Sequence, residues 1–135
     1  MAKQTGLGMT VSVDDSSGTP RDISNDIRSV GLSTPYGVQE VTGIDKSAME
    51  RLLLIIDGQV TISGVMNTAS NMSHDVFKTV PSTRVNRTTA LDYGAASLSM
   101  EMLYTNYEVN RSDAGELLWT ATGALADGTA PTWGA

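Results

Sequence analysis

The chain has 135 residues with a formal net charge of −6, and its 40% hydrophobic and 18% charged residues are typical of a globular protein. It contains no cysteine and one histidine, which excludes disulfide scaffolds, thiolate zinc sites, cysteine nucleophiles and metal sites built on two histidines of one chain. The acidic balance argues against a protein that grips nucleic acid by its phosphates, because that affinity depends mainly on cationic side chains.

The length predicts a single domain over residues 1–135, with a flexible N-terminal arm at 1–8 and a flexible C-terminal tail at 126–135. Behind the arm, residues 9–14 alternate apolar and polar side chains, which is the period of a half-buried β-strand. A turn rich in Ser, Gly, Pro and Asp follows this strand.

A second β-prone region covers residues 22–43 and is interrupted at Pro35 and Gly37. Its expected apolar anchors are Ile23, Ile27, Val30 and Leu32. Residues 44–52 could form a single helical turn at most. The longest apolar run, Leu52–Ile56, is far shorter than the ~20 residues that a membrane-spanning helix needs.

Residues 57–64 show the most regular strand pattern, because polar and apolar side chains alternate without a break. Residues 71–80 predict one short helix, with Ser70 as its N-cap and Pro81 as its stop. One face of this helix should lie on a sheet, since apolar side chains recur every four residues at Met72, Val76 and Val80.

Three further strands are predicted at residues 84–93, 98–111 and 117–125, with the spacing of an antiparallel meander. In the middle one, the apolar positions change parity between Tyr104 and Tyr107. This change predicts a bulge or a strong twist in a long strand.

The two tryptophans have different surroundings in the sequence. Trp119 lies in an alternating strand and should be in the core, whereas Trp133 lies in the loose tail and is a candidate anchor on a partner. The methionines have two possible roles, an adaptable binding surface or fillers of core volume. Because the chain is poor in aromatic residues, we favour the second role for Met66, Met72, Met100 and Met102.

The sequence contains no recognisable catalytic, cofactor-binding or metal-binding motif, so we expect that the protein is not an enzyme and binds no cofactor. The single histidine, His74, should be exposed on the polar side of the short helix. No serine lies in a G-x-S-x-G motif, which argues against acyl transfer. The paired acids lie in turns, where Asp is most often a turn former: Asp14 with Asp15, and Asp22 with Asp26.

Two stretches carry a family resemblance: "VTGIDKSAMERLLLIIDGQVTISGVMNTASNMSHDVFKTV" and the ending "GALADGTAPTWG". They contain a Thr-Gly-x-Asp segment before a long strand, a Gly-Val-x-Asn exit from it and an Asn-x-Ser-His-Asp-Val-Phe helix. In these sequence features the chain resembles the major tail proteins, or tail tube proteins, of long-tailed bacteriophages, especially those that infect actinobacteria. The resemblance extends from about Ile23 to Trp133.

The resemblance implies an antiparallel β-sandwich or partial barrel with one short flanking α-helix. It implies a structural virion protein of the phage tail, made in the host cytoplasm, whose copies close rings of six that stack into a tube. The implied partners are other copies of the chain, the tape-measure protein, other tail proteins and DNA in transient, non-specific passage. No membrane partner is implied.

A tube would also explain the acidic balance, because an anionic or neutral wall lets DNA slide while a cationic wall would bind it. Candidate lumen-facing residues are Asp57, Gln59, Thr61, Ser99 and Glu101, each of which could equally face outside solvent. Candidate inter-subunit residues are Arg51, Arg84, Arg87, Arg111 and Trp133.

Two alternatives stay open. A head decoration or head–tail completion protein would not polymerise on its own, which distinguishes it from a tube protein. A small ligand-binding β domain would need an exposed aromatic cluster, and Tyr104 and Tyr107 lie on opposite faces under ideal alternation. The tyrosines available for such a cluster are Tyr36, Tyr93, Tyr104 and Tyr107.

Overall fold

The computed structural model describes residues 3 and 5–134. Within them the strands are β1 (Thr10–Asp14), β2 (Pro20–Asp22), β3 (Ile27–Ser33), β4 (Tyr36–Glu40), β5 (Arg51–Ile56), β6 (Gln59–Val65), β7 (Arg87–Asp92), β8 (Ser97–Arg111) and β9 (Leu117–Leu125). A 3₁₀ helix spans Ser24–Asp26, and the α-helix α1 spans Ser73–Phe77. Neither helix in this part of the chain has the length and apolar character needed to cross a membrane.

Most of the strands form one antiparallel, seven-stranded sheet in the order β2-β1-β7-β8-β9-β6-β3. Its two outermost strands, β2 and β3, are consecutive in the chain, and the step from Asp22 to Ile27 spans at most about 18 Å. In a flat sheet these edges would be about 29 Å apart, since neighbouring strands are separated by about 4.8 Å. The sheet must therefore curl, and Val11 of β1 indeed lines the same cleft as Ile27 and Val30 of β3.

The concave side of the curled sheet holds the core. Phe77 of α1 lies inside it, with ring centroids 5.1 Å from Tyr104, 5.7 Å from Tyr107 and 5.3 Å from Trp119. The other buried apolar residues are Val11, Val13, Ile23, Val60, Ile62, Val76, Leu91, Leu98, Met100, Met102 and Ala121. The predicted fold class, mainly antiparallel β with one short flanking helix, is confirmed.

Helix α1 is shorter than the predicted 71–80 and begins differently. Met72 is its N-cap residue, and no side chain of the cap residue bonds to the helix, so the assignment of Ser70 was wrong. The capping acceptor comes from a distant part of the chain: Asp26 Oδ2 accepts the backbone N–H of Ser73 at 2.9 Å. Because a buried carboxylate from the 3₁₀ helix satisfies this donor, a local serine cap is not required.

The bulge predicted in the long strand is present. The β8–β9 register shifts between Tyr104 and Asn106, so that Thr105 is the extra residue. The shift turns Tyr104 and Tyr107 to the same side, and both rings contact Phe77. Ideal alternation, which would place them on opposite faces, therefore does not hold across the bulge.

Candidate assembly surfaces

The convex side of the curled sheet is a mostly polar surface, which we call the open face. Strand register places side chains of four neighbouring strands on it, because directly paired residues of antiparallel strands point to the same side. Its positions are Gln59, Thr61, Ser63 and Val65 of β6, Leu118, Thr120, Thr122 and Ala124 of β9, Ser97, Ser99, Glu101, Leu103, Asn106, Glu108 and Asn110 of β8, and Thr88, Ala90 and Asp92 of β7.

Four of the five candidate lumen-facing residues lie on this face. Gln59 and Thr61 belong to β6, while Ser99 and Glu101 belong to β8, and only β9 runs between the two strands. The strands are therefore about 10 Å apart, although the residues are distant in sequence. Asp57, the fifth candidate, is exposed just ahead of β6. The structure thus brings the candidates together on or beside one surface.

The open face carries acids and no cation at its defined positions, all of which lie in the described part of the chain. Asp92, Glu101 and Glu108 are its charged residues, and Glu101 accepts a hydrogen bond from the Thr88 hydroxyl. Arg28, in the bulge of the neighbouring strand β3, forms an ion pair with Glu116. Such a surface repels phosphate rather than binding it.

A second surface is the hairpin formed by β4 and β5, which we call the hairpin. It forms its own two-stranded sheet, separate from the seven-stranded one. At its base, the backbone N–H of Asp57 donates to the carbonyl of Pro35 at 2.8 Å. Its exposed apolar side chains, with those of its connecting loop, are Tyr36, Val38, Val41, Ile44, Met49, Leu52, Leu53, Leu54 and Ile55.

Both faces of the hairpin are apolar. Leu53 is 67% exposed and Ile55 is 87% exposed, and their neighbours Leu52 and Leu54 are more than half exposed. Successive strand residues point to opposite faces, so the run leaves neither face polar. Exposed apolar patches of this kind mark interaction sites. Among the hairpin residues only Arg51 was predicted as a contact. The signal for the others is an unbroken apolar run where a half-buried strand would alternate.

The candidate inter-subunit arginines differ in location. Arg51, Arg84 and Arg111 are exposed. The prediction that Arg87 contacts another subunit is corrected, because Arg87 is 1% exposed and its guanidinium bonds within its own subunit. Its donors reach the carbonyl oxygens of Asp14 at 3.0 Å and Val76 at 2.7 Å, and Thr79 Oγ1 at 2.7 Å. Arg87 therefore ties α1 to the sheet instead of meeting a neighbour.

Trp133 is 52% exposed and lies against its own subunit through one ring contact, with its centroid 5.7 Å from that of Tyr93. The next residue, Gly134, exchanges two backbone hydrogen bonds with Ser97, of 2.8 and 3.1 Å. Trp133 thus remains accessible to a partner while the chain end lies beside the start of β8.

His74 is half-buried, which corrects the expectation of an exposed side chain. Its Nδ1 lies 3.1 Å from the hydroxyl oxygen of Tyr107, so the ring helps to hold α1 against β8. Among the described residues there is no group of three or more His, Asp or Glu that could hold a metal ion.

The fold is similar to that of chains from a gene transfer agent tail, a gene transfer agent virion and a prophage baseplate. A chain from the tail of an empty gene transfer agent particle, refined with helical and sixfold symmetry, superposes with a TM-score of 0.75 at 17% identity, covering 98% of this chain and all of the other. A chain from the virion of a native gene transfer agent particle gives 0.73 at 16% identity, with coverage of 98% and 100%.

A third chain comes from the sixfold-symmetrised baseplate of the anti-feeding prophage, and gives a TM-score of 0.69 at 12% identity, covering 98% of this chain and 96% of the other. No protein-family model and no curated protein matches the sequence. The chain therefore has the fold seen in these tail, virion and baseplate structures, over 98% of its length.

Proposed function

We propose that this protein is a tail tube subunit, a structural protein of the virion whose copies form rings of six that stack into a conduit for DNA. The hairpin is the observation that carries this proposal. It is an apolar ribbon that its own subunit leaves uncovered, on a fold shared with chains of sixfold tail assemblies. Other tail components, including a tape-measure protein inside the tube, are the further partners of such a subunit.

The open face is the surface that we assign to the lumen. Its hydroxyl and amide side chains, and the acids Asp92, Glu101 and Glu108, offer a passing duplex no cation with which to pair. The hairpin cannot take this place, because its apolar side chains must be buried against protein in the assembled state. The two surfaces thus divide conduction and assembly between them.

Electron microscopy of the purified protein tests the proposal directly. We expect hollow rings or cylinders of uniform diameter, with sixfold symmetry in end views. A chain that stays monomeric or trimeric until it is offered capsids would instead be a head decoration or head–tail completion protein, and the tube function would be rejected.

The lumen assignment has its own test, in which Glu101→Lys places a cation on the open face. We expect assembled particles of this variant to release DNA at least about tenfold more slowly at low salt, with the delay shrinking as salt screens the contact. Glu101→Gln keeps an acceptor for Thr88 and should release DNA normally, as should Asp113→Lys in the β8–β9 turn. Unchanged release from Glu101→Lys particles would place the open face outside the lumen.

The ligand-binding alternative would need exposed aromatic rings on a sheet face, and Tyr104 and Tyr107 do not provide them. The bulge brings Tyr104 and Tyr107 to one side of β8, but that side packs on Phe77 inside the core. These rings are therefore not available to stack on a ligand.

A further inference from the structure

The C-terminal segment, residues 126–134, returns to its own sheet but contains more residues than the strand register requires. We call this segment the tail. The β8–β9 register pairs Met102 with Leu125, and the N–H of Ala126 still donates to the carbonyl of Glu101 at 3.1 Å. Continuing this register would place residue 130 opposite Ser97. The structure places Gly134 there, four residues later. The tail therefore loops away from β8 and touches it again only at its end.

The hold at that end is small. Among the described residues it includes the two backbone hydrogen bonds between Ser97 and Gly134 and the ring contact between Tyr93 and a Trp133 side chain that is half exposed. In the first half of the tail, Ala126, Gly128, Thr129 and Ala130 border a groove of about 680 Å³ at the base of the hairpin. Residues 127–130 and 132–134 are exposed, so the tail buries little apolar surface and is held weakly.

The edge of β8 that the tail bypasses is suited to strand addition. The backbone groups of Ser97 and the carbonyl of Glu101 point to this side, so those of Ser99 between them must do the same, because strand residues alternate in direction. We define the tail-docking site as Tyr93 together with the β8 edge from Ser97 to Glu101.

We propose that in the assembled particle the tail-docking site holds the tail of a neighbouring copy, and that the contact within one subunit is the form taken by the free protein. This inference rests on the proposed self-assembly. The occupant follows from the structure, since the site already binds this same Trp-Gly segment. Exchange of an identical segment between copies costs little, because the same contacts form on both sides of the equilibrium.

The tail has the length to make this exchange. From Ala126 to Gly134 it spans about 26 Å when extended, whereas the β8 edge that it bypasses, from Ser97 to Glu101, is only about 14 Å long. Its tryptophan is the residue type most often found at the energetic centre of interfaces. A subunit whose tail enters its neighbour would be linked to the next copy around the ring or along the tube.

Cysteine cross-linking distinguishes the two arrangements, because the native chain contains no cysteine. A Cβ built on Gly134 lies 3.0 Å from Ser97 Oγ, so the pair Ser97→Cys and Gly134→Cys is within disulfide range. The variant is oxidised once as dilute monomer and once as assembled particles, and both samples are run on non-reducing gels. The control is Ser97→Cys alone, which can form dimers but no longer covalent chains.

We expect a fast-migrating, internally cross-linked monomer from the dilute sample, and a ladder of covalent multimers from the assembled one. Assembled particles that yield only internal cross-links, or none at all, would overturn the exchange while leaving the tube function intact. A native protein that forms no oligomer by electron microscopy would reject the tube function, and this inference with it.

Discussion

The curled sheet and the hairpin contain the same types of apolar residue, but the sheet buries them and the hairpin exposes them. Val60 and Ile62 of β6 are fully buried, whereas Leu53 and Ile55 of β5, a few residues earlier, are mostly exposed. In β6 every second residue is polar, so one face can be buried while the other is hydrated. In β5 the apolar run leaves no polar face, so burial requires protein on both sides. Folding and assembly are therefore encoded in adjacent segments by different sequence patterns, alternation in β6 and an unbroken apolar run in β5.

The energies support this division. Fully burying an exposed Leu or Ile side chain contributes about 1.5–3 kcal/mol. Because Leu52–Ile55 are only 51–87% exposed in the monomer, the four could contribute about 4–8 kcal/mol per subunit before the costs of association. This contribution is absent in the free monomer. The sheet, by contrast, has its own core and does not depend on a neighbour for it.

The largest effect should come from adding charge to the hairpin. Leu53→Asp combined with Ile55→Asp should abolish ring and tube formation, because each carboxylate would have to be desolvated on one face of the ribbon. The free energy of unfolding of the monomer should stay within about 0.5 kcal/mol of the native value. Electron microscopy and urea denaturation provide the two measurements.

The matched control for this change is Ser47→Asp with Ala48→Asp, which adds the same charge in the hairpin loop, where the native side chains are not large apolar ones. Assembly by the control variant and its loss in the Leu53/Ile55 variant would locate the contact in the apolar run. Normal tubes from the Leu53/Ile55 variant would contradict an assembly role for the hairpin.

The converse effect should follow from truncating the core. Phe77→Ala removes the ring that touches Tyr104, Tyr107 and Trp119, and should lower the free energy of unfolding by about 3–5 kcal/mol. Leu53→Ala should change it by less than about 0.5 kcal/mol. If denaturant titration showed equal losses for both variants, the hairpin would have to pack on its own subunit.

The sequence predicted those elements whose pattern reports one buried face. Strands β6, β8 and β9 and the β8 bulge follow from alternation and its change of parity. Apart from Arg51, the hairpin residues were not predicted as contacts, because an apolar run does not show whether it is covered by the same subunit or by another one. The N-cap of α1 was misassigned because the acceptor, Asp26, is distant in sequence and only the curl of the sheet brings it near Ser73.

The candidate surfaces show the same limit. Gln59, Thr61, Ser99 and Glu101 were found because each is the polar partner in an alternating pair, and register then placed them on one face. Arg87 was misplaced because charge alone suggests exposure. Its carbonyl acceptors belong to backbone, and backbone acceptors leave no trace in residue identity.

A moderate effect should follow from loss of the Asp26 carboxylate. It accepts from Asn67 Nδ2 and from the Ser73 N–H, both at 2.9 Å, and joins the start of β3 to α1. Asp26→Ala should lower the free energy of unfolding by about 1–3 kcal/mol, because buried donors lose their partner. Asp26→Asn keeps one acceptor and should lose less. If Asp26→Ala left the free energy of unfolding unchanged in the same urea titration, the Asp26 hydrogen bonds would not contribute to holding α1.

The smallest effect should appear only at high pH. Burial raises the pKa of Tyr104 to about 12, against the hydrogen bond with Thr89 and the charge of Arg87, which both lower it. An unfolded tyrosine ionises near pH ~10, so between about pH 10 and 12 the unfolded state holds fewer protons and stability falls as pH rises. At pH ~11 the loss from this residue should be about 1 kcal/mol. Tyr104→Phe should reduce the fall in the free energy of unfolding with pH, measured by urea titrations from pH 9 to 11.5. If the native protein and the variant showed the same pH dependence, the Tyr104 hydroxyl would be hydrated rather than buried.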